Sequence, residues 1–339
     1  MTIRIYDVAK LAGVSIATAS HALNGKGRVS KVTQERIRRI AKKLGYKANP
    51  YAASLKTGRT NLLAVQIGWP GPKETLVPGP AYVIDILTGI STEAFDRGWT
   101  PVVVPRGASI SDLDRLSPDC GIVVDPLGNE TLLEALSARA APLITTGRLT
   151  KRSKFRPSTS YVDNDAIAVT HAVLDHLLDA GYRKPSIVVS YSSASYVADT
   201  IRAGKLWGAQ HGVQVPVVKV KRVISTIAEA AIKSQLLSDE PPDAIYATDE
   251  SGALGAVRAA RALGLEIPRD LGVICGFDGP LLQEAFPPIS AVDILPVTIG
   301  RRAVAELAEL VTTRQVKDTT EPVPFSIRVR QSTARSEQA

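Results

Sequence analysis

Along residues 5–12 (IYDVAKLA) the apolar positions Ile5, Val8, Leu11 and Ala12 fall on one helical face. Gly13 supplies a tight turn, and Ser15 stands where a side-chain oxygen would cap the next helix. That second helix, Ile16–Leu23, is predicted to bury Ala19 and Leu23 and to expose Ile16, Ala17, Ser20 and His21. Asn24-Gly25 ends it with a pair that tolerates positive φ. After the polar loop GKGR, Ser30 can cap a third helix in which Ile37, Ile40, Ala41 and Leu44 recur at helical spacing. Arg36, Arg38, Arg39, Lys42 and Lys43 crowd around this stripe, and Gly45 closes it. Three short helices on one core, the first two joined by a tight turn, make a helix-turn-helix head.

From Leu62 the period changes. Short apolar runs at 62–67, 101–104, 121–124, 142–145, 186–190, 215–220, 244–247 and 272–277 read as strands. Between them amphipathic patterns predict helices over Tyr82–Arg97, Glu130–Arg139, Asn164–Ala180, Tyr196–His211, Ser225–Leu237 and Glu250–Leu263. This alternation implies a body of two doubly wound parallel-sheet subdomains, each covered by helices on both faces. Such folds bind ligands beyond the carboxyl ends of their strands and in the crevice between units. The length of 339 residues agrees with two to three compact units.

Charge adds a partner to this picture. Residues 1–60 hold 13 of the 41 Lys and Arg and 2 of the 33 Asp and Glu, so the remaining chain is slightly acidic. Such an excess gains most on a polyanion, where bound cations displace condensed counterions from phosphates. Cys120 and Cys275 form no CxxC pair and fit reduced thiols of a cytosolic protein. The N-terminal MTIRIYDVAKLAGVS does not read as a signal peptide, and no apolar run is long enough to span a bilayer, so no membrane role is expected. His171 and His176 lie five apart, a spacing unsuited to a shared metal ion. No phosphate loop, nucleophile elbow or zinc-protease motif occurs. The expectation is a non-enzyme with no metal and no cofactor.

The run DVAKLAGVSIATASHALNGKGRVSKVTQERIRRIAKKLGYKANPYAASLKTGRTNLL resembles the lactose-repressor/galactose-repressor (LacI/GalR) family of bacterial transcription regulators. The resemblance implies a DNA-binding head at 1–48, a hinge helix and linker at 49–60, and an effector-binding, dimerising domain at 61–339. It implies that Ser15 and Thr18 hold phosphates while Ile16, Ala17 and His21 face base edges, with Ser20 and Asn24 completing the reading helix. Relatives usually carry Arg where His21 stands, so the base preference cannot be copied from them. Leu55, in the hinge segment NPYAASLKTG, would wedge into the minor groove once two chains sit on DNA. Alone, that segment is too short to be a stable helix.

The resemblance continues through the body, which is similar to the sugar-binding fold of periplasmic binding proteins. It implies lobe 1 over about 61–161 and 291–322 and lobe 2 over about 162–290 and 323–339. By position, Tyr82, Asp163, Arg202, Asp249 and Asp278 are the effector-binding candidates, with Arg202 assigned across a one-residue slip of register. An Asp after a strand is equally well a helix N-cap, and Asp278 is the most structural of the set. The loop 68–80 is a candidate lip on the cleft. The function expected is a sequence-specific regulator, a repressor in the first instance, working as a homodimer on double-stranded operator DNA under a small-molecule effector. The alternative is a solute-binding protein of sugar transport without a DNA role, which the basic head contradicts. An enzyme and a nonspecific nucleoid protein are the other classes.

Overall fold

The first helix, α1 (Ile5–Ala12), starts where the Arg4 N–H donates to Asp7 (2.8 Å) and stops at Gly13, whose φ of 60° puts it in the left-handed region. There the Val14 N–H reaches back to the Ala9 carbonyl, closing the helix end at a left-handed φ that glycine adopts without strain. Ser15 accepts from the Thr18 N–H (3.1 Å) at the start of α2 (Ile16–Leu23), and Ser30 caps α3 (Lys31–Leu44) through the Thr33 N–H. Val8, Ala9, Ala12, Ala19, Ala22, Ile37 and Ala41 form the core of this head. Two expectations shift along their helices, one by two positions and one by a single position. Leu11 is 61% exposed and Ala9 takes its place, because positions 5, 8, 9 and 12 share a face more closely than 11 does. Ala22 is buried and Leu23 only half-buried.

The structure is a computed structural model describing residues 3–23, 29–46, 58–68, 81–150, 155, 159–220, 225–317 and 321–335. The chain divides into two compact units, Met1–Thr60 and Asn61–Ala339. Asn24, Leu55 with most of the hinge segment, and the loop after Gly68 lie outside the described residues.

The second unit alternates strands and helices in the order β1 (Leu62–Ile67), α4 (Ala81–Asp96), β2 (Thr100–Val104), α5 (Ile110–Leu116), β3 (Cys120–Val124), α6 (Thr131–Ala138), β4 (Leu143–Thr146) and β5 (Ser160–Val162). It continues with α7 (Ala166–Asp179), β6 (Pro185–Ser190), α8 (Ser195–His211), β7 (Val217–Val220), α9 (Ser225–Leu236), β8 (Ala244–Ala247), α10 (Glu250–Leu263) and β9 (Gly272–Cys275). Last come α11 (Pro280–Gln283), β10 (Ser290–Asp293), α12 (Pro296–Thr313) and β11 (Ser326–Arg328). The first sheet runs β2-β1-β3-β4-β5, entirely parallel; the second runs β11-β10-β9-β8-β6-β7, with only β11 antiparallel. Counted from its own first strand, each sheet therefore has the same order, 2-1-3-4-5, with β11 added at one edge of the second. Strands such as β3, β6 and β8 are buried along their whole length, as expected of parallel strands covered on both faces.

At the second crossing the chain changes sheets later than the sequence reading has it. Ser290 and Ala291 pair with Ile274 and Cys275 of β9, so β10 belongs to the second sheet and the chain returns to the first lobe only after Asp293. A four-residue strand has too little alternation to announce its sheet. The returning helix α12 packs on α4 backbone to backbone: a Cβ added to Gly89 would lie 2.2 Å from the Val297 carbonyl oxygen, and one on Gly300 2.3 Å from that of Ile86. Neither oxygen can move without bending its helix. Gly89→Ala and Gly300→Ala are each expected to destabilise the chain by about 1–3 kcal/mol or more. Gly107→Ala, which meets nothing within 4 Å, is the control. Urea melts of the three variants check this, and a neutral Gly89→Ala would refute the close packing.

Candidate functional site

The head and the body each present a site, described separately. On the head, burial of Ala19 and Ala22 turns the opposite side of α2 outward, leaving Ile16 49% exposed with Ala17 and His21 also exposed and Ser20 half-exposed. Ser15 and Thr18 pair their hydroxyls at 2.8 Å at the helix start, where unpaired N–H groups favour an anion. Arg36, Arg38, Arg39, Lys42 and Lys43 are all exposed along α3. The head thus offers an apolar and imidazole-bearing edge on α2 and a row of exposed cations on α3.

In the body a cleft of about 590 Å³ opens where the carboxyl ends of both sheets meet. Both sheets reverse their strand order there, between β1 and β3 and between β6 and β8, so each contributes its topological switch point. Gly68 follows β1 and Asp125 follows β3; Ser192 follows β6, and Thr248 with Asp249 follows β8. Tyr82 from the first turn of α4 donates its hydroxyl to Asp125 (2.9 Å) and lies 5.7 Å, ring to ring, from Phe277 across the cleft. Tyr196 and Thr200 enter from α8, and Tyr246 from β8.

Electrostatics single out two carboxylates. Burial pushes Asp163 up to about 8, with the neighbouring Asp125 adding to the shift. Burial likewise pushes Asp125 up to about 7, against the Tyr82 hydrogen bond that favours its charged form. Tyr82 itself is raised well above its ordinary range, first by burial and then by Asp125. Asp249 is raised by burial while it caps α10 through the Gly252 N–H (2.9 Å). Both readings of an Asp after a strand therefore hold for it at once.

Where the chain crosses between lobes, one side chain gathers the strands. Asn164 Nδ2 donates to the carbonyls of Ile294 (3.2 Å), Val323 (2.8 Å) and Pro324 (3.3 Å), joining all three crossings. A second tie spans the lobes where Arg148, just past β4, meets Asp199 of α8 at 2.6 Å.

Of the five effector candidates, Tyr82, Asp163 and Asp249 line this cleft and two do not. Arg202 is exposed on α8 away from it, because Thr200, Ala203, Gly204 and Trp207 occupy the inward positions and leave residue 202 outside. Asp278 is held by Arg330 in a two-pronged ion pair (2.9 and 2.5 Å), which fixes the C-terminal segment rather than a cleft ligand. Asp125 was missed, although the signal was present: it follows the apolar run GIVV as Asp249 follows AIYAT. Glu250, beside Asp249, was missed as well. Among the described residues no group of three or more His, Cys, Asp or Glu could hold a metal ion, and no helix is long and apolar enough to cross a membrane.

Comparison with known proteins agrees with this division. Residues 4–49 match the model of bacterial regulatory proteins of the lacI family, and residues 174–333 match the periplasmic binding protein-like domain. The chain is 27% identical over 325 residues, 93% of each protein, to the HTH-type transcriptional regulator CelR of Thermobifida fusca. It is 25% identical over 330 residues, 91% of each, to the HTH-type transcriptional repressor PurR of Haemophilus influenzae. Among solved structures, a CelR–cellobiose complex aligns with a TM-score of 0.71 at 23% identity, covering 97% of this chain and 99% of that one. A lac repressor dimer bound to operator and the anti-inducer ONPF aligns with a TM-score of 0.82 at 20% identity, covering 99% of this chain and 100% of the other. These relatives regulate transcription and are not enzymes, and a DNA-reading head joined to a cleft-bearing body is what they have in common. The chain joins a lacI-family helix-turn-helix domain to a periplasmic binding protein-like domain and is a DNA-binding transcriptional regulator.

Proposed function

We propose that this regulator is a cytoplasmic homodimer that represses transcription, and that a small polyhydroxylated effector in the body cleft controls its hold on operator DNA. Two heads would read the halves of a near-palindrome, with a two-fold interface setting their spacing. Ser15 and Thr18 would hold phosphates, Ile16, Ala17, Ser20 and His21 would face the major groove, and Asn24 would end the reading helix. The observation that carries the effector reading is the cleft itself, in which Tyr82, Asp125, Asp163 and Asp249 gather at the strand ends of both lobes. Carboxylates accept several hydrogen bonds each and suit vicinal hydroxyls, while aromatic rings suit the apolar face of a sugar. The cellobiose complex of the related CelR supports a sugar. A ligand that favours one lobe arrangement needs only differential affinity for two states to shift operator binding.

Fluorescence anisotropy on a selected operator, with cellobiose and a panel of other sugars, tests the proposal. At least one ligand should change operator affinity several-fold; operator affinity indifferent to every cleft ligand would remove the effector reading. Leu55→Ala should weaken operator binding on the order of tenfold or more and random-sequence DNA far less, since unstacking a base step is worth a few kcal/mol. Equal losses on both DNAs would count against the wedge. His21→Ala should relax base preference at one position of each half-site, read by sequence selection from a randomised pool.

A further inference from the structure

We infer that the cleft is built for a ligand carrying a protonated amine, an amino sugar or amino polyol, rather than for an uncharged sugar or an anionic one. The inference rests on the reading of this cleft as the effector site and names the chemistry of its occupant. Four carboxylates, Asp125, Asp163, Asp249 and Glu250, line one cavity, and no Lys, Arg or His is among its described lining residues. Among the described residues, three of the four are hydrogen-bonded by neutral groups only. Tyr82 donates to Asp125 (2.9 Å), the Asn164 N–H to Asp163 (2.8 Å) and the Gly252 N–H to Asp249 (2.9 Å). Glu250 is only 9% exposed, and its Oε1 has no hydrogen-bond partner among the described residues.

Two described cations nearby, Arg148 and Arg330, are engaged. Arg148 is bound to Asp199 at 2.6 Å, and Asp199 acts on Asp163 at least as strongly as Arg148 does. Arg330 is bound by Asp278, the other carboxylate that Glu250 feels. Buried carboxylates met only by dipoles are poorly compensated, and a partner of opposite charge is what such a site lacks. Burial accordingly holds Asp125 near 7 and Asp163 near 8. An ammonium group would supply the counter-charge and three donors for the carboxyl groups that line the cleft. Tyr82 and Phe277 present ring faces beside it, and aromatic faces attract cations. A phosphate or carboxylate ligand would face four carboxyl groups, each repelling it once ionised, and a neutral sugar would supply no counter-charge.

The test uses matched probes on the full chain. Glucosamine, galactosamine and mannosamine are each titrated against the parent hexose and its N-acetyl derivative, with glucose 6-phosphate as the anion, by calorimetry and thermal shift. At least one amine should bind ten or more times tighter than both neutral counterparts. Its advantage should grow from pH 6 to pH 7.5, as Asp125 and Asp163 lose their protons with Tyr82, Tyr196, Arg148 and Asp199 around them. Glu250→Gln and Asp163→Asn, each checked for folding by its own melting curve, should each remove most of that preference; either variant suffices if the other fails to fold. A neutral sugar or the phosphate binding as tightly as every amine, or no amine binding at all, would overturn the inference. A neutral sugar that binds best and also shifts operator affinity would overturn it while leaving the effector reading intact. An amine that binds the cleft without altering operator affinity would do the reverse.

Discussion

Between 50 and 200 mM salt the operator affinity of the full chain is expected to fall roughly 10³- to 10⁵-fold, the loss characteristic of about 6–10 neutralised phosphates. The head supplies the reason. It holds 13 basic residues against 2 acidic ones, and Arg36, Arg38, Arg39, Lys42 and Lys43 stand exposed along α3. The rest of the chain is slightly acidic and adds no attraction of its own. Each phosphate contact contributes about −0.9 to the slope of log affinity against log salt, so neutralising two of the five α3 cations should flatten that slope by roughly 2 if both touch phosphates. Anisotropy on the operator and on random DNA of equal length measures both. The two slopes should be similar, because phosphates carry charge without carrying sequence, and the operator's advantage should survive at every salt concentration. A slope near zero on either DNA would mean that the surplus charge of the head serves something else.

What could be read in advance follows the range of the interaction concerned. Gly13, Ser15, Ser30 and Gly45 act within one helical turn, and each closes or opens its helix as its neighbours in sequence imply. The parallel strands announced themselves because burial on both faces demands uninterrupted apolar runs. Two short strands did not: β5 and β10, of three and four residues, are held by partners far away in sequence. The Asn164 clasp was unreadable for the same reason, since it joins segments 130 and 159 residues apart. Arg202 failed differently. It was placed by resemblance across a one-residue slip, and one residue on a helix is 100° of rotation, enough to turn a side chain from the cleft to the surface. Asp125 was legible and overlooked, for the rule that found Asp249 applies to it unchanged.

Stability in the absence of ligand is expected to decline as pH rises from about 4.5 to 8, and an Asp125→Asn/Asp163→Asn double variant should lose most of that decline. Both groups start from an ordinary 3.8; burial carries Asp125 to about 7 and Asp163 to about 8. The unfolded chain therefore releases these protons near pH 4 while the folded chain keeps them to pH 7 or 8. Below 4 both states are protonated and nothing is lost. Between the two limits the folded state holds the extra protons, so each step up in pH favours unfolding, and above 8 the loss is complete. One excess proton costs about 1.4 kcal/mol per pH unit, and because water reaches an open cleft we expect a total of about 2–4 kcal/mol. Asp249 and Glu250, also raised by burial, act in the same direction. His176 opposes them, since burial lowers it and the folded state gains as a charged imidazole is lost. The double variant isolates the cleft pair from these. At pH 8 it should melt higher than the wild type by about 2–4 °C for each kcal/mol recovered. An unchanged pH slope would show that Asp125 and Asp163 are ionised in the folded chain from the start. A cleft that weakens its own fold as it ionises is one whose ligand has that stability to restore, so effector binding should release protons near pH 7, measurable as a dependence of binding heat on the buffer's ionisation enthalpy.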